Sequence, residues 1–152
     1  MITLDKYYDE IVVGQCWTSQ GRTVTETDVV AFAALTGDWY PLHTDATYAA
    51  ATQFGQRIAH GLLVLGIASG LLRIDPGTLV AFYGMDRVRF LHPTFIGDTL
   101  HAEMTVVALK DRGSEDGLVT FEQRVTNQNQ TTVALSTLKV VLAKAPGSRS
   151  NT

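Results

Sequence analysis

Residues 57–74, RIAHGLLVLGIASGLLRI, are apolar on nearly every side of the helix that their composition predicts. A helix of about 16 residues would be only ~24 Å long, and this stretch also contains a histidine, a serine and three glycines, so it does not suit a membrane span. A helix that is apolar all round belongs in the middle of a domain. The sequence therefore predicts a central helix against which the rest of the chain packs.

Four strand-like runs follow this segment. Each is rich in β-branched and aromatic residues and alternates in part, and glycine, proline, asparagine and aspartate separate the runs. The runs are LVAFYGMDRVRFLHP, DTLHAEMTVVALKDR, GLVTFEQRVTNQ and TTVALSTLKVVLAK. They predict an antiparallel meander with one face against the helix, which is an α+β architecture within one domain.

The first half of the chain predicts two shorter helices. In TETDVVAFAALTG, Thr25 can cap the start, Asp28 completes a capping box and Gly37 ends the helix. Asp45 can cap a second helix in ATYAAATQF. The apolar face of the first helix is predicted to contain Val29, Phe32, Ala33 and Leu35.

Charge and cysteine content exclude several classes of partner and site. The net charge is −3 and the 12 basic residues form no cluster, which argues against nucleic acid and anionic membranes. The single Cys16 excludes an intrachain disulfide and a cysteine-rich metal site, and its strand-like surroundings predict a buried residue. The N-terminus, MITLDKYYDE, carries charges where a signal peptide needs an apolar run, so we expect a cytoplasmic protein.

The loop TGDWYPLH, residues 36–43, places an acid and an imidazole close together in sequence. Gly37 ends the first helix and Pro41 prevents its continuation, so the loop is predicted to be extended or turned. Positions five apart on an extended strand face opposite sides, so only a bent loop brings Asp38 and His43 together. Two such groups sharing one water can add or remove water. The alternative is that Asp38 forms a local turn and His43 packs.

Gly61, in IAHG, stands where the apolar helix begins. The unpaired backbone donors and the positive end of the helix dipole can stabilise a developing oxyanion there. Glycine also allows a substrate carbonyl to approach the backbone closely. The alternative is an ordinary glycine at a helix start. Together, the acid, the imidazole and the N–H donor suit chemistry beside a thioester carbonyl.

Two long motifs, TGDWYPLHTDATYAA and FGQRIAHGLLVLGIASGLL, resemble the hydratase signature of the MaoC-like dehydratase family, the (R)-specific enoyl-CoA hydratases with the hotdog fold. The segments VRFLHPTFIGDTL and TTVALSTLKVVLA extend the resemblance over most of the chain. It implies a single α+β hotdog domain over residues 1–144, in which an antiparallel sheet wraps around a long central helix. Residues 145–152 would then be a flexible C-terminal tail.

The resemblance also implies an activity, which is reversible hydration of an enoyl-CoA thioester to an (R)-3-hydroxyacyl-CoA in fatty acid metabolism. Asp38 and His43 take the catalytic positions, and Gly61 supplies the backbone contact to the oxyanion. Ser69 would lie in the pocket and face the catalytic pair. No metal and no redox cofactor is implied, because coenzyme A arrives as part of the substrate. The family further implies a homodimer or a dimer of dimers.

One position departs from the family pattern. Tyr40 stands where the family usually has asparagine before the proline, and tyrosine cannot lock the loop in the way that asparagine does. We expect its phenol to line the pocket or to reach another partner. Trp39 and His60 complete the predicted substrate-binding set. The alternatives are packing for Trp39, and capping the helix entry or fixing the loop for His60. His92 is predicted to be structural.

Two other functions are compatible with the same fold. An acyl-CoA thioesterase of this fold usually carries its acid on the central helix, and residues 58–74 contain no acidic residue. A catalytically silent subunit that binds acyl thioesters would keep the pocket without the reaction.

Overall fold

Long strands occupy most of the second half of the chain, where the β-branched and aromatic runs predict them. The structure is a computed structural model that describes the backbone of residues 2–147. Its strands are β1 (Ile2–Leu4), β2 (Cys16–Thr18), β3 (Arg22–Thr23), β4 (Leu72–Ile74), β5 (Leu79–Phe90), β6 (Thr99–Asp111), β7 (Asp116–Thr126) and β8 (Thr132–Ala143). Its α-helices are α1 (Glu26–Thr36), α2 (Pro41–Thr44), α3 (Ala46–Ala50) and α4 (Gly61–Gly70), and a 3₁₀ turn spans Tyr8–Glu10.

The main sheet of the described chain is antiparallel, in the spatial order β2-β6-β7-β8-β5, and β3 extends it by pairing with β6. The predicted meander is therefore right for β6, β7 and β8 but wrong for β5, which pairs with β8. Segments 112–115 and 127–131 are short enough for hairpins, whose loops usually have about two to five residues. Segment 91–98 is longer, because it connects the edge strand β5 to β6, with β7 and β8 lying between them in the sheet.

Helix α4 is shorter than the sequence predicts. It begins at Gly61, because His60 has an extended backbone conformation, and residues 72–74 form β4, which pairs with β1 in parallel. The 10 residues of α4 span about 15 Å, whereas the 13 residues of β6 span about 40 Å. The helix therefore covers only part of the sheet face.

Two apolar clusters fill the inner face of the sheet. One contains α4, with Val64 and Ile67 against Leu100 and Val125. The other contains Phe121 and further sheet residues under the N-terminal segment. Each buried aliphatic side chain of this kind contributes roughly 1.5–3 kcal/mol to folding. The helix and the N-terminal segment thus share the task of covering the sheet.

Two residues that the sequence predicts to be buried are exposed. Leu35 is 84% exposed, because α1 turns only Val29, Phe32 and Ala33 toward the core. Cys16 lies in a strand as predicted, but it is exposed, because β2 is at the edge of the sheet.

Helix α4 is also not buried all round. A stripe along one side of α4 is exposed to solvent in the single chain, and it consists of Leu62, Gly66, Ser69 and Gly70.

Two further predictions concern the C-terminal tail and a membrane span. Ala145 is tied to the domain, since its N–H donates to Asp9 Oδ2 at 3.0 Å. Most of the predicted flexible tail, residues 148–152, lies outside the described residues. None of the helices within residues 2–147 has the length and hydrophobicity that a bilayer crossing requires.

Candidate active site

The loop after α1 contains a short helix that the sequence did not predict. Gly37 ends α1 in the left-handed conformation, with φ of 79°, as its position predicts. Pro41 then begins α2, a single turn, instead of continuing an extended loop. Proline suits the first position of a helix because its φ is already close to the helical value. This turn places His43 at a bend, so that it and Asp38 reach the same cleft.

His43 is oriented by a backbone carbonyl. Its Nδ1 lies 2.7 Å from the carbonyl oxygen of Ile58. Because a carbonyl oxygen only accepts hydrogen bonds, Nδ1 carries the hydrogen and donates it. The other ring nitrogen, Nε2, is then the one that can accept a proton or a hydrogen bond from a small molecule in the cleft.

Asp38 is exposed and lies across from His43. Its Oδ1 accepts a long hydrogen bond of 3.3 Å from the N–H of Tyr40, so it takes part in the local turn. A carboxylate oxygen of Asp38 and one ring nitrogen each of His43 and His60 nevertheless lie within 4.8 Å of one another. A separation of this size lets one water form hydrogen bonds of about 2.8 Å to both a carboxylate and an imidazole. Asp38 can therefore take part in the local turn and still share a water with His43.

Gly61 is the first residue of α4, which places its N–H at the positive end of the helix. The preceding His60 offers no side-chain hydrogen bond to this helix end. Phe90, on the edge strand β5, packs against Gly61 so closely that an added Cβ would lie 2.6 Å from the ring. The ring can lie this close because residue 61 has no side chain.

These groups line one cleft of about 420 Å³. The polar side chains of its wall belong to Asp38, His43, His60, His92 and Thr94. The rest of the wall is mainly apolar and includes Phe32, Phe54, Leu62, Val64, Phe90 and Leu91. An apolar cleft with a few convergent polar groups is typical of a small-molecule site.

A family model described as the MaoC like domain matches residues 12–129. The chain belongs to the MaoC-like domain family. The hotdog fold that the resemblance implied is confirmed, with helices on one side of an antiparallel sheet that is not closed.

Two curated relatives illustrate the range of this MaoC-like family. The (R)-specific enoyl-CoA hydratase of Rhodospirillum rubrum is 37% identical over 120 residues, which are 79% of this chain and 81% of that protein. Protein MaoC of Klebsiella aerogenes is 40% identical over 102 residues, or 66% of this chain. That match covers only 30% of the length of the Klebsiella protein.

Two solved structures are similar over nearly the whole chain. A monoamine oxidase regulatory protein from Archaeoglobus fulgidus has a TM-score of 0.88 at 40% identity and covers 93% of this chain and 97% of its own. The unliganded R-hydratase PhaJ1 of Pseudomonas aeruginosa has a TM-score of 0.74 at 35% identity, covering 92% of this chain and 86% of its own.

The MaoC-like cleft brings together some of the predicted site residues and not others. Asp38, His43, His60 and Gly61 all line it. Ser69 does not, because it lies on the exposed side of α4, and eight residues beyond Gly61 correspond to about 12 Å along the axis.

Trp39 and Tyr40 also lie outside the wall of the cleft, and both are about half exposed. The Tyr40 ring meets His43 edge-on, with ring centroids 6.0 Å apart. The Tyr40 hydroxyl lies 3.4 Å from that of Tyr48, and this hydrogen bond raises the pKa of Tyr48. The phenol of Tyr40 thus reaches another partner, which is one of the two outcomes expected for it.

His92, which the sequence predicts to be structural, also reaches this site. Its Nδ1 lies 2.9 Å from the carbonyl oxygen of Thr132, and the side chain lines the cleft. Its place before a proline at the end of a strand gave no functional signal, because only the pairing of β5 with β8 brings it to this site.

Three side chains of the cleft have the donor atoms that a metal ion would need. Asp38, His43 and His60 together offer one carboxylate and two imidazoles. However, His43 Nδ1 and His60 Nε2 both face backbone carbonyls, so each ring has only its other nitrogen left for an ion. The absence of a metal remains a prediction from the sequence.

Proposed function

We propose that this protein is a hydro-lyase that reversibly hydrates an enoyl-CoA thioester to an (R)-3-hydroxyacyl-CoA. The observation that carries the proposal is the meeting of Asp38 and His43 in one cleft, beside the N-terminus of α4 at Gly61. The name of the Rhodospirillum rubrum relative supports the reaction class and its stereochemistry.

A water held between Asp38 and His43 is the nucleophile in this proposal. The Asp38 carboxylate accepts a proton from the water while the water oxygen attacks the β-carbon of the enoyl group. His43 holds the same water through Nε2, because its Nδ1 is engaged with Ile58. The proton taken from the water then reaches the α-carbon, delivered either by Asp38 or by His43 after its Nε2 has received that proton. The elements of water are thus added across the double bond, and the thioester stays intact.

The N–H of Gly61 acts on the thioester carbonyl. During the attack, electron density moves from the double bond to the carbonyl oxygen. A backbone donor at the start of a helix stabilises that charge, and the apolar wall of the cleft strengthens the interaction by excluding water. This contribution exists mainly in the transition state, so it raises turnover more than substrate affinity.

The acyl-CoA thioester is the only partner that this mechanism needs. Coenzyme A belongs to the substrate, and the residues described above perform the reaction without a metal or redox group. The homodimer and the cytoplasmic location remain predictions.

The two alternatives lead to different observations. A thioesterase would cleave the thioester, yet helix α4 carries no acidic residue from Gly61 to Gly70. A silent binding subunit would bind acyl-CoA without changing it. The similar structure from Archaeoglobus fulgidus is named a regulatory protein, so the relatives are not all named as hydratases.

A panel of enoyl-CoA esters of different chain length tests the proposal. Hydration removes the conjugated double bond, so the enoyl absorbance falls while no free thiol appears with a thiol reagent. Release of thiol instead would identify a thioesterase. Tight binding of every ester with neither signal would identify a silent binding subunit.

A further inference from the structure

His60 lies at the start of α4 and is almost fully buried. Only 2% of the residue is exposed, although it forms part of the cleft wall. It occupies the N-cap position of the helix, but its side chain makes no capping hydrogen bond. Helix capping therefore does not account for a buried imidazole at this position.

The two ring nitrogens of His60 have different surroundings. Nε2 lies 3.0 Å from the backbone carbonyl oxygen of Asp38, which only accepts, so Nε2 carries the hydrogen and donates it. Nδ1 is buried and has no hydrogen-bond partner in the described part of the chain. The predicted substrate-binding role would have to use Nδ1, and that atom is not exposed to the cleft.

Two other rings pack against the His60 ring. His43 stacks on one side, with ring centroids 3.9 Å apart and planes 29° apart. Phe32 packs against the same ring at 4.9 Å and 52°. His60 therefore touches His43 through its ring and Asp38 through its N–H, and Phe32 fixes the ring from α1.

We propose that His60 is a positioning residue that sets the separation between the Asp38 carboxylate and His43 Nε2. This inference rests on the proposed hydration, in which those two groups share one water. His43 is fixed by two contacts from one short segment, the Ile58 carbonyl and the His60 ring. A misplacement of about 1 Å can slow an enzymatic reaction by roughly 10²-fold, so a residue that only holds these groups can control the rate.

Two variants separate the contacts of His60. His60→Phe keeps a ring that packs with Phe32 and His43 but removes the donor to Asp38, whereas His60→Gln keeps a donor but removes the ring. His101→Gln is the matched control, because His101 is a partly buried histidine outside the cleft that also faces a carbonyl oxygen.

Each His60 variant should lower kcat by roughly 10- to 10²-fold, with KM and the affinity for a non-reactive acyl-CoA unchanged. The control should keep the activity of the wild type. A raised KM at unchanged kcat would instead make His60 a substrate-binding residue, and unchanged kinetics in both variants would also overturn the proposal.

A second measurement asks whether His60 acts through Asp38. In an Asp38→Asn background, adding His60→Phe should have little further effect, because the carboxylate that it positions is already absent. If the two losses multiplied in full, His60 would act independently and the proposal would be wrong.

Histidine ¹⁵N spectra of the wild-type protein provide a test that does not need activity. We expect one fixed tautomer for each ring, with the hydrogen on Nε2 of His60 and on Nδ1 of His43, assigned with the single variants. A hydrogen on Nδ1 of His60, or exchange between its tautomers, would overturn the positioning role. The expected tautomers in a protein that hydrates no enoyl-CoA would support the arrangement and refute the proposed function alone.

Discussion

At the scale of single residues, Gly61 has two neighbours that an added side chain would displace. One is the Phe90 ring, which lies within 2.6 Å of the place where a Cβ would be. The other, in the proposed mechanism, is the thioester carbonyl. Because Phe90 is half exposed, its ring can move aside when a side chain is added, so the fold does not depend on this glycine.

We expect Gly61→Val to melt close to the wild type but to lose roughly 10²–10³ in turnover, the usual effect of losing one oxyanion donor. The valine side chain would keep the substrate carbonyl away from the N–H. Thermal melts and steady-state hydration rates check this expectation. Adding Phe90→Ala, with Phe90→Ala alone as the control, should leave the double variant slow. Full recovery would show that glycine is needed only for the ring.

The residues of the site were predictable to different degrees. The bent loop that joins Asp38 to His43 followed from Gly37 and Pro41, because these residues restrict the backbone locally. The stacking of His60 on His43 was not predictable, since it depends on how segment 58–60 meets the loop. The resemblance predicts Ser69 in the cleft, whereas this residue is exposed in the single chain.

At the scale of elements, α1 has the start that its sequence predicts. Thr25 Oγ1 accepts from the Asp28 N–H, and Asp28 Oδ2 accepts in return from the Thr25 N–H at 2.8 Å. Arg22 also donates to Asp28 Oδ1 at 2.7 Å. Burial alone would raise the pKa of Asp28, but the hydrogen bonds from Thr25 and Arg22 outweigh it and lower the pKa below 3.8.

Asp28→Ala should reduce the free energy of unfolding by about 1 kcal/mol at neutral pH, the typical value for a lost cap interaction. The exposed neighbour Thr27 gives a matched control, Thr27→Ala. Because the folded-state pKa is lowered, the stabilisation is complete above pH 3.8 and is lost as the pH falls further through the folded-state value. Denaturant melts should therefore show the two proteins converging in acid. An equal gap at every pH would contradict the assignment.

Boundaries were less predictable where an element depends on distant partners. The signals at Thr25 and Gly37 are local, and α1 begins and ends where they indicate. The apolar run 57–74 is equally compatible with a longer helix. It ends as a helix at Gly70 because β4 pairs with β1 from the other end of the chain. Strand β5 likewise pairs across the sheet, which its own pattern does not specify.

At the scale of the whole molecule, the single chain leaves apolar surface uncovered. Strand β5 is an edge of the main sheet, and Val80, Phe82 and Tyr83 on it are each more than half exposed. An open edge strand with apolar side chains promotes association with another chain.

We expect two copies to pair through the β5 edge, giving a dimer or a dimer of dimers by sedimentation or light scattering. Phe82→Glu should shift the protein toward the monomer, because it places a charge in the interface. Val107→Glu, at an exposed valine on β6, is the matched control and should leave the assembly unchanged. A stable, active wild-type monomer at micromolar concentration would contradict this expectation.

Hydration rates of the two single variants and the double variant test most directly whether Asp38 and His43 act on one water. Asp38→Asn keeps an acceptor for the Tyr40 N–H and His43→Gln keeps a donor for Ile58, so both should fold. Each should lower hydration by about 10²–10⁴, the usual range for a positioned acid or base. The double variant should be little worse than either, with binding of a non-reactive acyl-CoA intact. Losses that multiply in full, or a wild type that binds enoyl-CoA without hydrating it, would contradict the claim.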